Sequence, residues 1–257
     1  DKDRIKKYRE MNFTVNGERR SFPVEDCETA APADFIIVAV KYNALPAALD
    51  TMKHCVGPDT TIISVMNGIS SEQIIGERYG HEKVLYSIAQ GMDATKIGNR
   101  LKFSNMGELR IGVPDADPQK KENLQRVMEF FDRTSLPYTE EEDIKKRMWS
   151  KWMLNVGCNQ VIMVEEGSYR TIQEEGTGRE RAKAAMREVI AVARAEGVHL
   201  GEEDLEGYMA LADTLDPDGM PSMRQDGQSG IPRWICFLAQ FWKRRRNTAS
   251  MCRSTEN

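Results

Sequence analysis

The run FIIVAV at residues 35–40 decides the fold, together with the run TTIISVM at residues 60–66. Both runs are continuous, rich in β-branched residues and bounded by turn residues, which is typical of parallel strands buried on both faces. Between them, residues 45–52 predict a helix with Pro46 in its first turn. A strand, a helix and a second strand in this order predict a doubly wound parallel α/β sheet.

The same alternation continues further along the chain. Further predicted elements are a turn at Asn67-Gly68, a helix from residue 71, a strand at residues 83–89, a hairpin of residues 101–103 with 108–112, and an amphipathic helix at residues 121–131. From about residue 143 the pattern changes to helices. They are predicted at residues 144–162, 179–197 and 202–215, the second closed by Gly197. We therefore expect an all-helical C-terminal domain that begins near residue 141.

Composition excludes several classes of protein. The 257 residues are 40% hydrophobic and 30% charged, which is typical of a chain that forms a core. The net charge of −4 gives no indication of a nucleic-acid surface. No stretch approaches the roughly 20 apolar residues of a membrane span, and the charged first residues do not resemble a signal peptide. Five scattered cysteines, without metal-ligand spacing, indicate a reducing, cytoplasmic setting and no metal site.

Polar residues follow the first two predicted strands. Lys41 and Asn43 come after the first, and Asn67 after the second. Ligands of open α/β sheets lie beyond the carboxyl ends of the strands, so these residues are candidates for binding. Ordinary turn chemistry is the alternative, because Asn-Gly is a common turn dipeptide.

Lys151, Asn155 and Asn159 are spaced by four residues, which predicts one face of a helix. One cation and two amides suit a keto acid, since they supply a proton donor and neutral hydrogen-bonding groups. A solvated polar face is the alternative. Ser222 precedes a predicted helix start, where it could cap the helix or direct its hydroxyl toward a ligand.

Together these segments resemble the ketopantoate reductase (2-dehydropantoate 2-reductase) family over roughly residues 1–230. The matching segments, in order, are the strand ending at Lys41, the turn at residues 66–68, the helix of Lys151, Asn155 and Asn159, the helix end at Glu196-Gly197, and PSMRQD at residues 221–226. The Lys/Asn/Asn helix followed by the Ser-Met-x-Gln-Asp segment is the most specific part.

The resemblance implies a fold and a set of roles. The fold would be a partial Rossmann-like doubly wound sheet at residues 1–140, followed by a helical substrate and dimerisation domain at residues 141–230. Lys151 would protonate the keto oxygen as hydride arrives from NADPH, with Asn155, Asn159 and Ser222 holding the substrate. Lys41, Asn67 and Ala94 would contact the cofactor. The protein would act on a 2-keto acid, as a homodimer in the cytoplasm.

Two departures from the family pattern stand out. The strand and glycine-rich phosphate loop that open the family are missing, so we expect an incomplete dinucleotide-binding domain with an unpaired strand edge. After Gly230 the family's Gly-Arg-x-Thr-Glu run is replaced by IPRWICF. A permitted set of codons for IPRWICF, read from the third base of the first codon, encodes Thr-Glu-Val-Asp-Leu-Phe. This sequence contains the Thr-Glu of the family's run. We therefore expect residues 231–257 to be an out-of-frame tail.

Three hypotheses follow from the sequence. The first is NADPH-dependent reduction of 2-dehydropantoate to pantoate in pantothenate and coenzyme A biosynthesis. The second is reduction of another 2-keto acid, because Tyr169 stands where the ketopantoate enzymes often carry Asn. The third is an inactive fragment of such a reductase.

Overall fold

The computed structural model describes residues 2–228, with side chains for residues 4–225. The expected out-of-frame tail, residues 231–257, lies outside the described residues. The chain divides into two compact units. Among the described residues, the first comprises the chain up to Asn67 and Ser71–Ile144, and the second comprises Gly68–Ser70 and the chain from Lys145.

The first unit contains two sheets. Its strands are β1 Phe13–Val15, β2 Glu18–Arg20, β3 Ala33–Val38, β4 Val56–Ser64, β5 Val84–Gln90, β6 Thr95–Ile97, β7 Arg100–Lys102, β8 Glu108–Gly112 and β9 Tyr138–Glu140. Its helices are α1 Lys2–Glu10, α2 Leu45–Met52, α3 Ser71–Tyr79 and α4 Pro118–Thr134. The larger sheet has the strand order β3-β4-β5-β8-β9, and the smaller has the order β2-β1-β7-β6.

The larger sheet confirms the predicted α/β class. Strands β3, β4 and β5 run parallel, as do β8 and β9, whereas β8 is antiparallel to β5. The sheet is therefore mixed, with one antiparallel junction that the sequence did not indicate. Strand β3 has a hydrogen-bonded neighbour on one side only among the described residues, as expected for an open edge.

The predicted hairpin of residues 101–103 with 108–112 is wrong. Strand β7 pairs with β6 and β1 in the smaller sheet, whereas β8 pairs with β5 and β9 in the larger one. Gly107, at a φ of +72°, lies in the connection between β7 and β8. The chain thus changes sheets at the point where a hairpin was expected.

Helices cover both faces of the larger sheet. Ile62 of β4 packs with Leu45 and Leu49 of α2, whereas the next residue, Ile63, packs with Phe131 of α4. Both isoleucines are fully buried. Adjacent strand residues point to opposite faces, so a continuous apolar run is what a sheet covered on both sides requires.

The second unit is helical, as predicted. It contains α5 Ile144–Leu154, a π-helical turn at Asn155–Asn159, α6 Gln160–Val164, α7 Arg170–Gln173, α8 Thr177–Ala195, α9 Glu202–Asp213 and α10 Ser222–Gln228. Gly197, at a φ of +75°, follows the end of α8, and the amide of Val198 donates to the carbonyl of Ala193. This left-handed glycine is the predicted helix stop. No helix in the described part of the chain has both the length and the apolar character needed to cross a membrane.

Close packing of α8 against the π-helical turn depends on Gly157. A Cβ atom built on Gly157 would meet Cγ of Met186 at 2.3 Å and the carbonyl oxygen of Ala182 at 3.0 Å. The first distance is shorter than real Cβ atoms show, and the second is at the lower limit of their contacts. The glycine is therefore required by the neighbouring helix.

We predict that Gly157→Ala lowers the free energy of unfolding by about 1–3 kcal/mol, because the added methyl group overpacks the contact with Met186. Gly207→Ala is the matched control, since Gly207 lies inside α9 with nothing within 4 Å of the added Cβ. That variant is expected to gain about 0.5–1 kcal/mol from helix propensity. Urea denaturation measures both, and equal effects of the two substitutions would contradict the packing role of Gly157.

Candidate active site

Three predicted cofactor residues follow the carboxyl ends of three neighbouring strands in the first unit. Lys41 lies three residues beyond the end of β3, Asn67 three beyond β4, and Ala94 four beyond β5. The terminal residues Val38 and Ser64 are paired in register. Because the three strands are parallel, all three loops leave the same edge of the sheet.

Local hydrogen bonds shape these loops. The carbonyl of Lys41 accepts from the amide of Ala44 and opens the short 3-10 turn Tyr42–Ala44. After β5, Oδ1 of Asp93 accepts from the amides of Ser104 and Asn105, both at 2.8 Å. Lys41, Asn67 and Ala94 are all exposed. An exposed cation and an exposed amide at one sheet edge fit a ligand that carries phosphate and ribose groups.

The predicted substrate residues lie along one helical segment of the second unit. Lys151 is in α5, and Asn155 and Asn159 are the first and last residues of the π-helical turn. In an α-helix, positions spaced by four advance about 40° round the axis at each step. A π-helical turn contains more residues than an α-helical turn, so four residues there rotate by less than a full turn. This smaller rotation offsets the 40° advance and returns Asn159 toward the side of the helix that carries Lys151.

The two asparagines are directly linked. Nδ2 of Asn159 donates to Oδ1 of Asn155 at 2.8 Å. This contact fixes the orientation of the Asn155 side-chain amide. Its oxygen faces Asn159 and accepts, so its nitrogen is available as a donor on the other side. Asn155 is 7% exposed, and its Nδ2 has no hydrogen-bond partner among the described residues. A buried donor without a partner costs free energy, so it is suited to a ligand acceptor.

The pKa of Lys151 is lowered from 10.5 to about 8, first by burial and second by the charge of Arg147. Arg147 lies one helical turn before Lys151, and sequence analysis did not single it out. Its spacing of four residues from Lys151 was the signal that could have identified it. A lysine with a pKa near neutrality can give up its proton at physiological pH, which is the property of a general acid.

Ser222 is the first residue of α10 and is exposed. It therefore lies within the helix rather than capping it. Helix α10 packs against both α6 and the π-helical turn. Nε2 of Gln225 donates to the carbonyl of Met220 at 3.0 Å and closes the turn before Ser222. The structure thus brings the helix of Ser222 next to the segment that carries Asn155 and Asn159.

The described residues contain no group of three or more His, Cys, Asp or Glu side chains that could hold a metal ion. Cys158, within the π-helical turn, is buried, and burial raises the pKa of its thiol to about 12. A thiol that stays protonated is not a nucleophile. Cys158 is therefore not a candidate nucleophile of this segment.

Comparison with known families gives consecutive matches over most of the chain. The model described as "Ketopantoate reductase PanE/ApbA" matches residues 1–116, and its counterpart "Ketopantoate reductase PanE/ApbA C terminal" matches residues 143–233. A 2-dehydropantoate 2-reductase of Streptococcus pyogenes is 24% identical over 228 residues, which are 87% of this chain and 74% of that relative.

Solved structures share the fold. A dimeric ketopantoate reductase from Staphylococcus aureus matches with a TM-score of 0.76 and 21% identity, over 91% of this chain and 79% of that one. A D-mandelate dehydrogenase in complex with NADH matches with a TM-score of 0.79 and 16% identity, over 97% of this chain and 83% of that one. The two family matches and the 2-dehydropantoate 2-reductase relatives identify the class as oxidoreductase. The chain belongs to the ketopantoate reductase family.

We predict that Arg147→Met raises the pKa of Lys151 toward its ordinary value of 10.5, because a like charge is removed from its surroundings. The measurement is amine labelling of Lys151 by acetic anhydride across a pH series, read by mass spectrometry. Lys145→Met removes the same charge at an exposed position of α5 and serves as the control. An unchanged labelling midpoint in Arg147→Met would show that burial alone sets the pKa of Lys151.

Proposed function

We propose that this protein catalyses the NADPH-dependent reduction of 2-dehydropantoate to pantoate, a step of pantothenate and coenzyme A biosynthesis, with Lys151 as the proton donor. The observation that carries the proposal is the helical segment in which a lysine of lowered pKa precedes a buried asparagine, whose Nδ2 has no partner in the described part of the chain. Membership of the ketopantoate reductase family supports the same reaction.

In this proposal the second unit holds the keto acid. The ammonium group of Lys151 donates a hydrogen bond to the keto oxygen and then transfers its proton, so that the oxygen becomes the product hydroxyl. Nδ2 of Asn155 gains an acceptor that residues 4–225 do not supply, and Asn159 fixes the orientation of that amide. Ser222 adds a hydroxyl from α10.

The first unit would hold the cofactor at the edge where β3, β4 and β5 end. Lys41 supplies a positive charge for phosphate and Asn67 supplies an amide. Ala94, in the loop after β5, contacts the cofactor. When bound, the reduced nicotinamide supplies the hydride that adds to the carbonyl carbon. The choice of NADPH over NADH belongs to the proposal. A homodimer is also part of the proposal and is supported by the dimeric relative from Staphylococcus aureus. A cytoplasmic location is part of it as well, supported by the scattered cysteines.

Lys151→Met tests the proton donor. We expect kcat to fall by about 10²–10⁴, which is typical for loss of a general acid, while NADPH still binds. In the unsubstituted protein, kcat is expected to fall as the pH rises through about 8, because the ammonium form is the active one. NADPH absorbance with 2-dehydropantoate measures both, with Lys145→Met as the control. Full activity of Lys151→Met would contradict the assigned role.

A second candidate function is reduction of a different 2-keto acid. The similarity to D-mandelate dehydrogenase favours it, and so does Tyr169, whose ring carbons lie within 3.5 Å of a Cβ built on Gly219. Gly219 lies three residues before Ser222, so an aromatic side chain packs beside the turn that leads to Ser222. A substrate with an aromatic group could use such a surface.

A panel of 2-keto acids separates the two candidates. The proposal expects kcat/KM for 2-dehydropantoate to exceed that for phenylglyoxylate and other 2-keto acids by at least about tenfold, the factor that about 1.4 kcal/mol supplies. The reverse order would favour the second candidate. Absence of turnover with every acid, in a protein that melts cooperatively, would support the hypothesis of an inactive fragment.

A further inference from the structure

A chain of hydrogen bonds lies at the base of the loop that carries Asn67. The amide of Met66 donates to Oγ of Ser64 at 3.3 Å, and Oγ of Ser64 donates to Oγ of Ser71 at 2.9 Å. Oγ of Ser71 then donates to Oε2 of Glu72 at 3.0 Å. Ser64 ends β4 and Ser71 begins α3, so their contact closes the loop of residues 65–70 at its base.

The two ends of this chain fix its direction. A serine hydroxyl can both donate and accept, so a pair of serines alone could be oriented either way. Here the amide of Met66 can only donate, and Oε2 of Glu72 accepts from the hydroxyl of Ser71. Every hydroxyl between them therefore points toward Glu72, and bonds aligned in this way strengthen one another.

All three side chains are buried. Ser64 is 0% exposed, Ser71 is 3% exposed and Glu72 is 2% exposed. Oε1 of Glu72 has no hydrogen-bond partner among the described residues, and burial raises the pKa of this carboxyl to about 7. A buried acid in this condition is costly to the fold. A small compensation is its position in the first turn of α3, where the helix dipole favours negative charge.

Strand β4 is also tied to its neighbouring strands at its carboxyl end, where the loop begins. The amide of Val65 donates to the carbonyl of Val38 in β3 at 3.0 Å, and Oγ of Ser87 in β5 donates to the carbonyl of Ser64 at 2.8 Å. Asn67 and Gly68, at a φ of +112°, form the outer part of the loop, and Asn67 is exposed. Ile69 of the same loop is buried, so Asn67 is the exposed residue of a loop that is held both at its base and at Ile69.

We propose that Ser64, Ser71 and Glu72 form a clasp that holds the loop of residues 65–70 and so positions Asn67 for the nucleotide. These three are positioning residues, because they act through Asn67 and do not contact the ligand themselves. The role in nucleotide binding rests on the proposed function, whereas the clasp itself does not.

Ser71→Ala breaks the clasp, and Ser87→Ala is its matched control. Ser87 is also a buried serine, 2% exposed, and its hydroxyl bonds to the backbone of Ser64 without entering the clasp. We expect amide hydrogen exchange in residues 65–70 to accelerate about tenfold in Ser71→Ala and to stay within twofold in Ser87→Ala, as loss of one buried hydrogen bond implies. Ser71→Thr retains a hydroxyl and is expected to restore slow exchange.

Substitutions of Glu72 separate its hydrogen bond from its charge. Glu72→Gln keeps an oxygen that can accept from Ser71, so exchange in residues 65–70 should stay near that of the unsubstituted protein. Glu72→Leu removes the acceptor and should match Ser71→Ala. Circular dichroism melts confirm that each variant is folded. Equal acceleration in Ser71→Ala and Ser87→Ala, or none in either, would overturn the clasp.

A second measurement, the Kd of NADPH by fluorescence titration, tests the role of the clasp in nucleotide binding. We expect Ser71→Ala and Glu72→Leu to raise Kd by about tenfold, while Ser87→Ala and Ser71→Thr stay within about twofold. A loosened loop with an unchanged Kd would overturn the positioning role. If the unsubstituted protein did not bind NADPH, the proposed cofactor would be wrong, and hydrogen exchange would still decide whether the clasp exists.

Discussion

Strand β4 has to be covered on both faces, since its neighbouring residues Ile62 and Ile63 are both fully buried. Helices α2 and α4 cover the two faces here, and parallel neighbouring strands need a crossover connection of the kind that α2 provides between β3 and β4. The parallel course of β3, β4 and β5 then brings their carboxyl ends to one edge. The placement of Lys41, Asn67 and Ala94 is thus a consequence of how the core is buried.

The second unit solves a different problem, which is to keep polar groups in a packed helical interior. Gly157 lets Met186 of α8 approach the π-helical turn. Within that turn, Asn155 and Asn159 lie within hydrogen-bonding distance of each other. Burial near Arg147 makes the charge of Lys151 costly. Groups that are costly to bury without a ligand are those that gain most when one binds, which is the logic expected of a reductase site.

The sequence predicted what depends on local patterns. Continuous apolar runs predicted β3 and β4, and Gly197 predicted the end of α8. The error at residues 101–112 has a physical reason, because short strands pair with partners distant in the chain, which local alternation does not reveal. The π-helical turn was missed because residues spaced by four fit a regular helix equally well. Glu72 reads as an ordinary surface acid of a first helical turn, and only the fold shows that it is buried.

Glu72 and Lys151 also make folding exchange protons with the solvent. Between pH 4.5 and about 7 the folded chain keeps a proton on Glu72 that the unfolded chain releases, so stability falls as the pH rises through this range. Between about 8 and 10.5 the folded chain lacks a proton on Lys151 that the unfolded chain binds, so stability rises with pH there. The calorimetric enthalpy of unfolding therefore depends on the ionisation enthalpy of the buffer, with opposite sign in the two ranges.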